Sequence, residues 1–451
     1  MQKIIQARRI DRMDIVQPGA EPFIEVAYEE YEATDPPLPV FFGADPLVES
    51  MSLPLEGYHL PQPSGERARL EDFGGERRPD FDNGPALDRA IARLNPSGII
   101  DVSGVMYGIK NVHRFHNVEG ISIVGNGPGS GFMAMQNDFD SGRGRWGCII
   151  EYWGAKDCQF RDFEFDLNSQ PIGALYHKDD ERTVFARVKV HSGGGGPTDR
   201  TMPLAMIKGS GKSSGLMMVG IIVENSAGNA RPGVSGVRGY WGPHDQLNNA
   251  LISNCIFRMC GHTGLAVNPH GGVTIENVTS KDNKGAGIKT DKPENMTGAA
   301  VDPCDIVAAD CKGNGFWSWQ IEMRTKVSKS RSVGGKAAWT AHDEGNFGKE
   351  VSDCLILECS EAGIWNHHRD PGQGNDNWPF GDLVFRNNTI TGNLARGGIV
   401  FEGRYTRPRG DIVIVENKTN AGVPVKTTRQ IEEHAGTTIE NNGPNGAGPR
   451  A

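Results

Sequence analysis

No apolar run in this sequence approaches the ~20 residues that a bilayer-spanning helix needs. The opening segment, MQKIIQARRIDRMD, lacks the apolar stretch of about 7–15 residues that marks a secretory signal. The expectation is a chain with no signal peptide and no membrane partner, in a virion or extracellular after release, otherwise cytoplasmic. Aromatic residues are scarce at 8% and hydrophobic ones reach only 37%, too few for a thick globular core but enough for a thin, elongated one. Positive charge is in deficit, with 47 Lys and Arg against 56 Asp and Glu and a net charge of −9. That excludes binding of nucleic acid by bulk positive charge, so no nucleic-acid partner is expected. Eight cysteines in 451 residues are too sparse for a disulfide scaffold.

Glycine is what the chain has in excess: 60 residues, about twice the usual share of ~7%. Residues 1–65 form an acidic, proline-bearing and non-repetitive N-terminal extension suited to attachment or oligomerisation. Next comes LEDFGGERRPDFDNGPALDRAIARLNPSG, where Asp82 or Asn83 can cap a short helix and Pro85 suits its first turn. Leu87, Ala90, Ile91 and Leu94 form one apolar stripe on it. From there to residue 420 the chain consists of short Val/Ile-rich segments broken by Asn, Gly and Asp, and residues 421–451 read as a C-terminal tail. Aligned on glycine, CIFRMCGHTGLAV, VTSKDNKGAGIKT, IVAADCKGNGFWSW and CLILECSEAGIWNH superpose, with Gly264, Gly287, Gly315 and Gly363 in one column. Units of about 22–35 residues with short strands and no room for helices predict an all-β parallel solenoid, entered through a short capping helix. In this alignment Cys260, Cys311 and Cys359 share a position with Asn283, while Cys255 and Cys354 share one with Val278 and Ile306. Such exchange suits small core residues, so free thiols are expected.

The residue after each column glycine is apolar and should face the core, which turns the next one outward. That outward column reads Arg238, Ala266, Lys289, Trp317, Trp339, Trp365, Val400. Three tryptophans on successive coils would form a row about 5 Å apart per step. Sugar C–H faces could cover them, and so could a packing partner. Further along the strands come Tyr240, Trp319, His367 and Glu402, then Asp343, Arg369 and Arg404. Arginine and lysine beside aromatics suit an acidic glycan, because they neutralise its carboxylates. His367-His368 and His342-Asp343 could also be read as metal ligands, but no spacing supports zinc, and the metal is left unassigned.

The sharpest string is YWGPHDQLNNALISN, from Tyr240 to Asn254. It resembles the active-site segment Y-G-F-D-P-H-[ED]-Q of the mannuronan C5-epimerases, within the pectate-lyase-like superfamily of right-handed parallel β-helices. The segment beginning at Leu70 is likewise similar to the entry shared by these epimerases and phage tailspike depolymerases. The resemblance implies a right-handed β-helix acting on a polysaccharide, with Tyr240 and His244 in catalytic positions, Asp245 at the neighbouring acidic position, Lys208 or Lys212 as an upstream lysine, and Ca2+ as a cofactor. For tailspikes it implies a homotrimer. One departure stands out: the family's acidic residue before Pro-His is Gly242 here.

The chemistry can be reasoned from the residues themselves. A uronate C5–H becomes acidic once its carboxylate is neutralised, here by Arg238 or Lys289. A histidine or tyrosine then removes the proton, and its return to the opposite face gives epimerisation while loss of the O4 substituent gives lyase cleavage. Hydrolysis would instead need a carboxyl pair, for which Asp343, Glu344 and Glu402 are the alternative. The readings are an epimerase or lyase on an acidic polysaccharide, with Trp317, Trp339, Trp365, His367, Arg369 and Arg404 binding substrate, or a tailspike or surface-glycan-binding protein with glycosidase-type or no catalysis.

Overall fold

The computed structural model describes residues 4–7, 28–31, 55, 58, 60–136, 147–193, 205–224, 237–242, 246–290, 304–313, 317–321, 325–341, 347–367, 381–402 and 410–444. From Glu66–Ala68 to Thr437–Glu440 the strands pair in parallel with those of the next coil, in the architecture of a right-handed parallel β-helix. One helix, α1 (Gly84–Leu94), lies across the start, with Pro85 in its first turn and Leu87, Ala90, Ile91 and Leu94 buried against the solenoid core. Asp82 Oδ1 accepts from the Gly84 amide at 3.1 Å, while Asn83 binds the preceding turn through Glu76 N at 2.7 Å. Among the described residues no helix is long and apolar enough to cross a membrane.

Twelve strands stack into one sheet: β1 (His113–His116), β2 (Cys148–Trp153), β3 (Gly173–Lys178), β4 (Ala205–Ser210), β5 (Arg238–Trp241), β6 (Leu265–Val267), β7 (Ile288–Thr290), β8 (Trp317–Ile321), β9 (Ala337–Ala341), β10 (Ala362–His367), β11 (Gly397–Glu402) and β12 (Val425–Lys426). The other strands of each coil close the remaining sides. Chain corners recur at residues in the left-handed region, such as Asn254, Asn277, Asp353 and Asn387, where a short polar side chain tolerates the positive φ. The ladders run past residue 420, since β12 joins the sheet and Thr437–Glu440 pairs with Ile412–Val415.

The register corrects several sequence expectations. The glycine column runs through Gly264 and Gly287, whose next neighbour is Ser318; Gly315 lies outside the described residues. A Cβ on Gly264 would meet Ser280 Oγ at 2.3 Å, so the column reflects close approach between coils. Ile288 therefore pairs with Trp319, and Trp319 with Trp339. Cys311 pairs with Ser280 and Ser332, away from Asn283, and Ile306 pairs with Ile275, away from Val278. The cysteines nonetheless all lie buried as free thiols.

The end of the N-terminal extension folds back over the outside of the solenoid. Leu55, Tyr58 and Leu60 pack on Val184, Ala186, Met217 and Val219. Arg161 Nη2 donates to Pro61 O at 2.5 Å, and Tyr58 Oη lies 3.3 Å from Ser253 Oγ and also bonds Asn254.

Candidate functional site

Strand alternation places one outward column along β1 to β5: Arg114, Glu151, Tyr176, Lys208 and Trp241 on successive coils. The residue before each of the last four, Ile150, Leu175, Ile207 and Tyr240, points into the core. A second outward column, on the same face, holds His116, Trp153, Lys178 and Ser210.

The two columns interleave cations with rings. The Arg114 guanidinium stands 4.4 Å from the Trp153 ring centre and Lys178 Nζ 4.9 Å from it. His116 meets the same indole edge-on at 5.0 Å, and Tyr176 does so at 6.4 Å. Lys208 Nζ lies 5.3 Å from the Tyr176 ring and 5.7 Å from Trp241, while the Arg238 guanidinium is 4.1 Å from Trp241. These distances are within cation–π range. Arg114 also holds Glu151, with Nε at 2.7 Å and Nη2 at 2.5 Å from Oε2. The Tyr176 hydroxyl is 2.5 Å from Ser210 Oγ, and burial raises its pKa.

Lys208 is the unusual member. It lies on the outward face yet is only 1% exposed, because Tyr176 and Trp241 flank it. Burial pulls its amine down to about 8; nearby Cys148 and Glu151 oppose that shift and Arg238 adds to it. A lysine in that state exchanges a proton near neutral pH and can act as a base.

Tyr240 is not on this face. It is wholly buried, its hydroxyl 3.1 Å from His177 Nε2 and its ring 5.9 Å from the His177 ring. His177 Nδ1 is 2.7 Å from Asp180 Oδ1, which also accepts a bond from Ser213. Burial would raise the Asp180 carboxyl, but the His177 charge and these hydrogen bonds hold it below its usual range. Burial, reinforced by Asp180, pushes the Tyr240 phenol well above its ordinary pKa. The expectation that Tyr240 opens onto a groove beside Arg238 is therefore corrected, because pairing with Ile207 and Leu265 turns it inward.

Other expected residues fall as follows. Arg238 starts β5 three residues before the outward column, so it does not share the Lys289 column; Lys289 lies two coils beyond Trp241 on the same face. The three tryptophans do not form a row. Trp317 pairs with Ala337, Trp339 with Trp319 and Ile364, and Trp365 with Thr340 and Val400. Ser318 takes the glycine's place and Trp319, fully buried, fills the core at that coil. Trp365 rests on Ala337, Ala362 and Val400, and Arg396 lies 4.4 Å from its ring centre. Glu402 accepts from Trp365 Nε1 at 3.2 Å and from Arg396 at 3.0 Å to each oxygen, so it is held in an ion-pair cluster. His367 pairs with Glu402 in register. His244, Asp245, Arg369, Arg404, Asp343 and Glu344 lie outside the described residues. Lys208 rather than Lys212 stands on the face; Lys212 is exposed on another strand, where its amide binds Asp179.

Gly242 has φ 136°, and a Cβ there would come within 2.2 Å of Gly209 O. The backbone itself excludes the missing acid. Among the described residues no group of three or more acidic, histidine or cysteine side chains gathers to hold a metal. Glu151 is bound by Arg114, so the described residues do not fit the Ca2+ that the resemblance implies.

Arg114, Glu151, Trp153, Tyr176 and Lys178 are absent from the sequence expectations because they lie upstream of Arg238, where the glycine-aligned columns begin. The signal was present: Ile150-Glu151, Leu175-Tyr176, Ile207-Lys208, Tyr240-Trp241 and Leu265-Ala266 each place a large inward residue before the outward one.

No family model matches this sequence, and neither does any curated protein. Solved structures do match in fold. The A-module of mannuronan C-5 epimerase AlgE6 from Azotobacter vinelandii is 12% identical, with a TM-score of 0.60, covering 85% of this chain and 100% of that one. The AlgE4 A-module from the same organism is 13% identical, with a TM-score of 0.57 over 83% and 100%. PfbA, a surface adhesin of Streptococcus pneumoniae, is 13% identical, with a TM-score of 0.51 over 80% and 93%.

Proposed function

We propose that this right-handed β-helix binds an acidic, uronate-containing polysaccharide along the outward face of β1 to β5 and moves the C5 proton, as an epimerase or a lyase. The observation that carries the reading is Lys208, held between Tyr176 and Trp241 with its amine at about 8 and Arg238 over the same indole. Trp153, Tyr176 and Trp241 supply apolar ring faces for sugar C–H groups, and the cations beside them pair with carboxylates. Arg238 neutralises the carboxylate of the reacting sugar, which acidifies its C5–H. Lys208 in its neutral form takes the proton, and His244, three residues past Trp241 in the sequence, is the residue assigned to return one. The solved structures similar in fold include two mannuronan C-5 epimerase modules, which supports this choice of substrate.

The test is incubation with polymannuronate and polygalacturonate, following unsaturated-uronate absorbance and C5 stereochemistry by NMR. Lys208→Met and His244→Gln should each lower the rate at least ~100-fold with the fold retained by circular dichroism. Near-wild-type turnover of both variants moves the search to Asp343, Glu344 and Glu402, and the reaction class to hydrolysis. Gly242 favours a second reading, a surface-glycan-binding protein without catalysis, trimeric if it is a tailspike; binding of polymer with no chemical change would select it.

A further inference from the structure

The glycan face does not end in open solvent at β1. That strand is the edge of the twelve-stranded sheet, and α1 lies beyond it. Between them is a cleft of about 460 Å3 lined by Asp88, Ile91, Ala92 and Asn95 on the helix side and by Arg114 and His116 on the strand side. That volume is within the range of about 300–1,000 Å3 typical of small-ligand sites. Arg114 and His116 belong to both places, since each also contacts Trp153. The cleft is therefore continuous with the interleaved cation–ring face. Ile91 and Ala92 give it an apolar wall, while Asn95, Asp88 and His116 offer hydrogen-bonding groups, the mixture that a pyranose ring with its hydroxyls requires. His113 Nδ1, 2.8 Å from Asp88 Oδ1, ties β1 to the helix and fixes the width of the opening.

The two ends of the face differ. Past Trp241 the outward column continues through Ala266, Lys289 and Gln320 onto further strands of the same sheet. Past Arg114 there is no further strand of that sheet among the described residues, and α1 stands there instead. A glycan lying along the solenoid axis can extend one way and meets a wall the other way.

We propose that this cleft is the terminal subsite of the face and takes the end sugar of an acidic polysaccharide, so that the protein engages its substrate from one chain end. The proposal rests on the glycan reading above. It is tested with the full chain on polymannuronate and polygalacturonate, each intact and partly depolymerised, at equal mass and with chain ends differing about tenfold in number. At low substrate the initial rate, or the binding capacity per mass of sugar if no turnover occurs, should rise about tenfold with the ends, because ends are then the effective substrate concentration. Ala92→Trp, which fills the cleft from an exposed helix position, should remove that gain, and His116→Ala should reduce it if the larger side chain perturbs the helix. A rate or capacity that follows sugar mass instead of chain ends, in wild type and variants alike, overturns the terminal subsite and leaves the glycan reading standing. Failure to bind either polymer in any form overturns both.

Discussion

At the residue scale the informative positions are Lys208 and Gly242. The Lys208 amine sits near 8 in the folded chain against ~10.4 in the unfolded one, so between those values the unfolded chain binds more protons. Folding stability should therefore rise with pH across that window, and below it the buried charge carries its full cost, on the order of 3 kcal/mol. Lys208→Met should stabilise the protein at pH 6–7, flatten that rise, and weaken acidic-glycan binding, which denaturant melts at several pH values and titration calorimetry will read. A Lys208 whose removal destabilises the fold and spares binding belongs to packing alone. Gly242 gives the opposite kind of test. Its φ of 136° and the Gly209 carbonyl behind it leave no room for a side chain. Gly242→Asp should cost at least about 1–3 kcal/mol in backbone strain and gain no activity; a faster, equally stable variant would show that the acid's absence, and not the backbone, limits this site.

At the scale of the element, the difference between what the sequence revealed and what it concealed lies in strand β8. Short strands, glycine columns and the helix from Gly84 to Leu94 were legible because each follows from periodicity or turn chemistry. So was the burial of Cys255, Cys260, Cys311, Cys354 and Cys359, which needs only membership of an inward column, whereas Cys148, Cys158 and Cys304 fit no such column of the sequence alignment. Which residue pairs with which was not legible at β8, because Ser318 substitutes for glycine and Trp319 for an aliphatic residue. Aligning on Gly315 slips β8 by three residues and aligning on Ala337 slips β9 by one, and the two slips together assemble a row of tryptophans that the ladder does not contain. Tyr240 and Trp241 show the same lesson at one residue's distance: the motif was visible, but only the pairing with Ile207 and Lys208 fixes which of the two faces outward. The corrected register makes a prediction. Trp319 is fully buried, so Trp319→Ala should cost about 3–5 kcal/mol. Trp365 is only half-buried beneath Arg396, and Trp365→Ala should cost distinctly less. Equal losses in thermal or denaturant melts would argue that both indoles belong to the core.

At the scale of the whole molecule, a solenoid coil is stabilised chiefly by its two neighbours, so its coils can differ in stability along the axis. The coils that carry the candidate site have an additional support. Leu55, Tyr58 and Leu60 lie across Val184, Ala186, Met217 and Val219, on strands that share coils with β3 and β4. The strap thus braces from outside the coils that present Tyr176 and Lys208 on the other sheet. Burying a side chain such as Leu60, 7% exposed, contributes about 1.5–3 kcal/mol. Leu60→Asp should release the strap without touching the solenoid core. Because coupling is to nearest neighbours, the loss should be local: faster amide exchange at 184–191 and 217–224, with protection unchanged at the distant strands Gly397–Glu402 and Ile412–Val415. On the glycan reading proposed above, affinity should fall as well, since the face loses pre-organisation while keeping all its side chains. Exchange that quickens evenly along the whole solenoid would mean that the strap supports global folding. Exchange that does not change at all would mean that the coils around Lys208 are rigid without it.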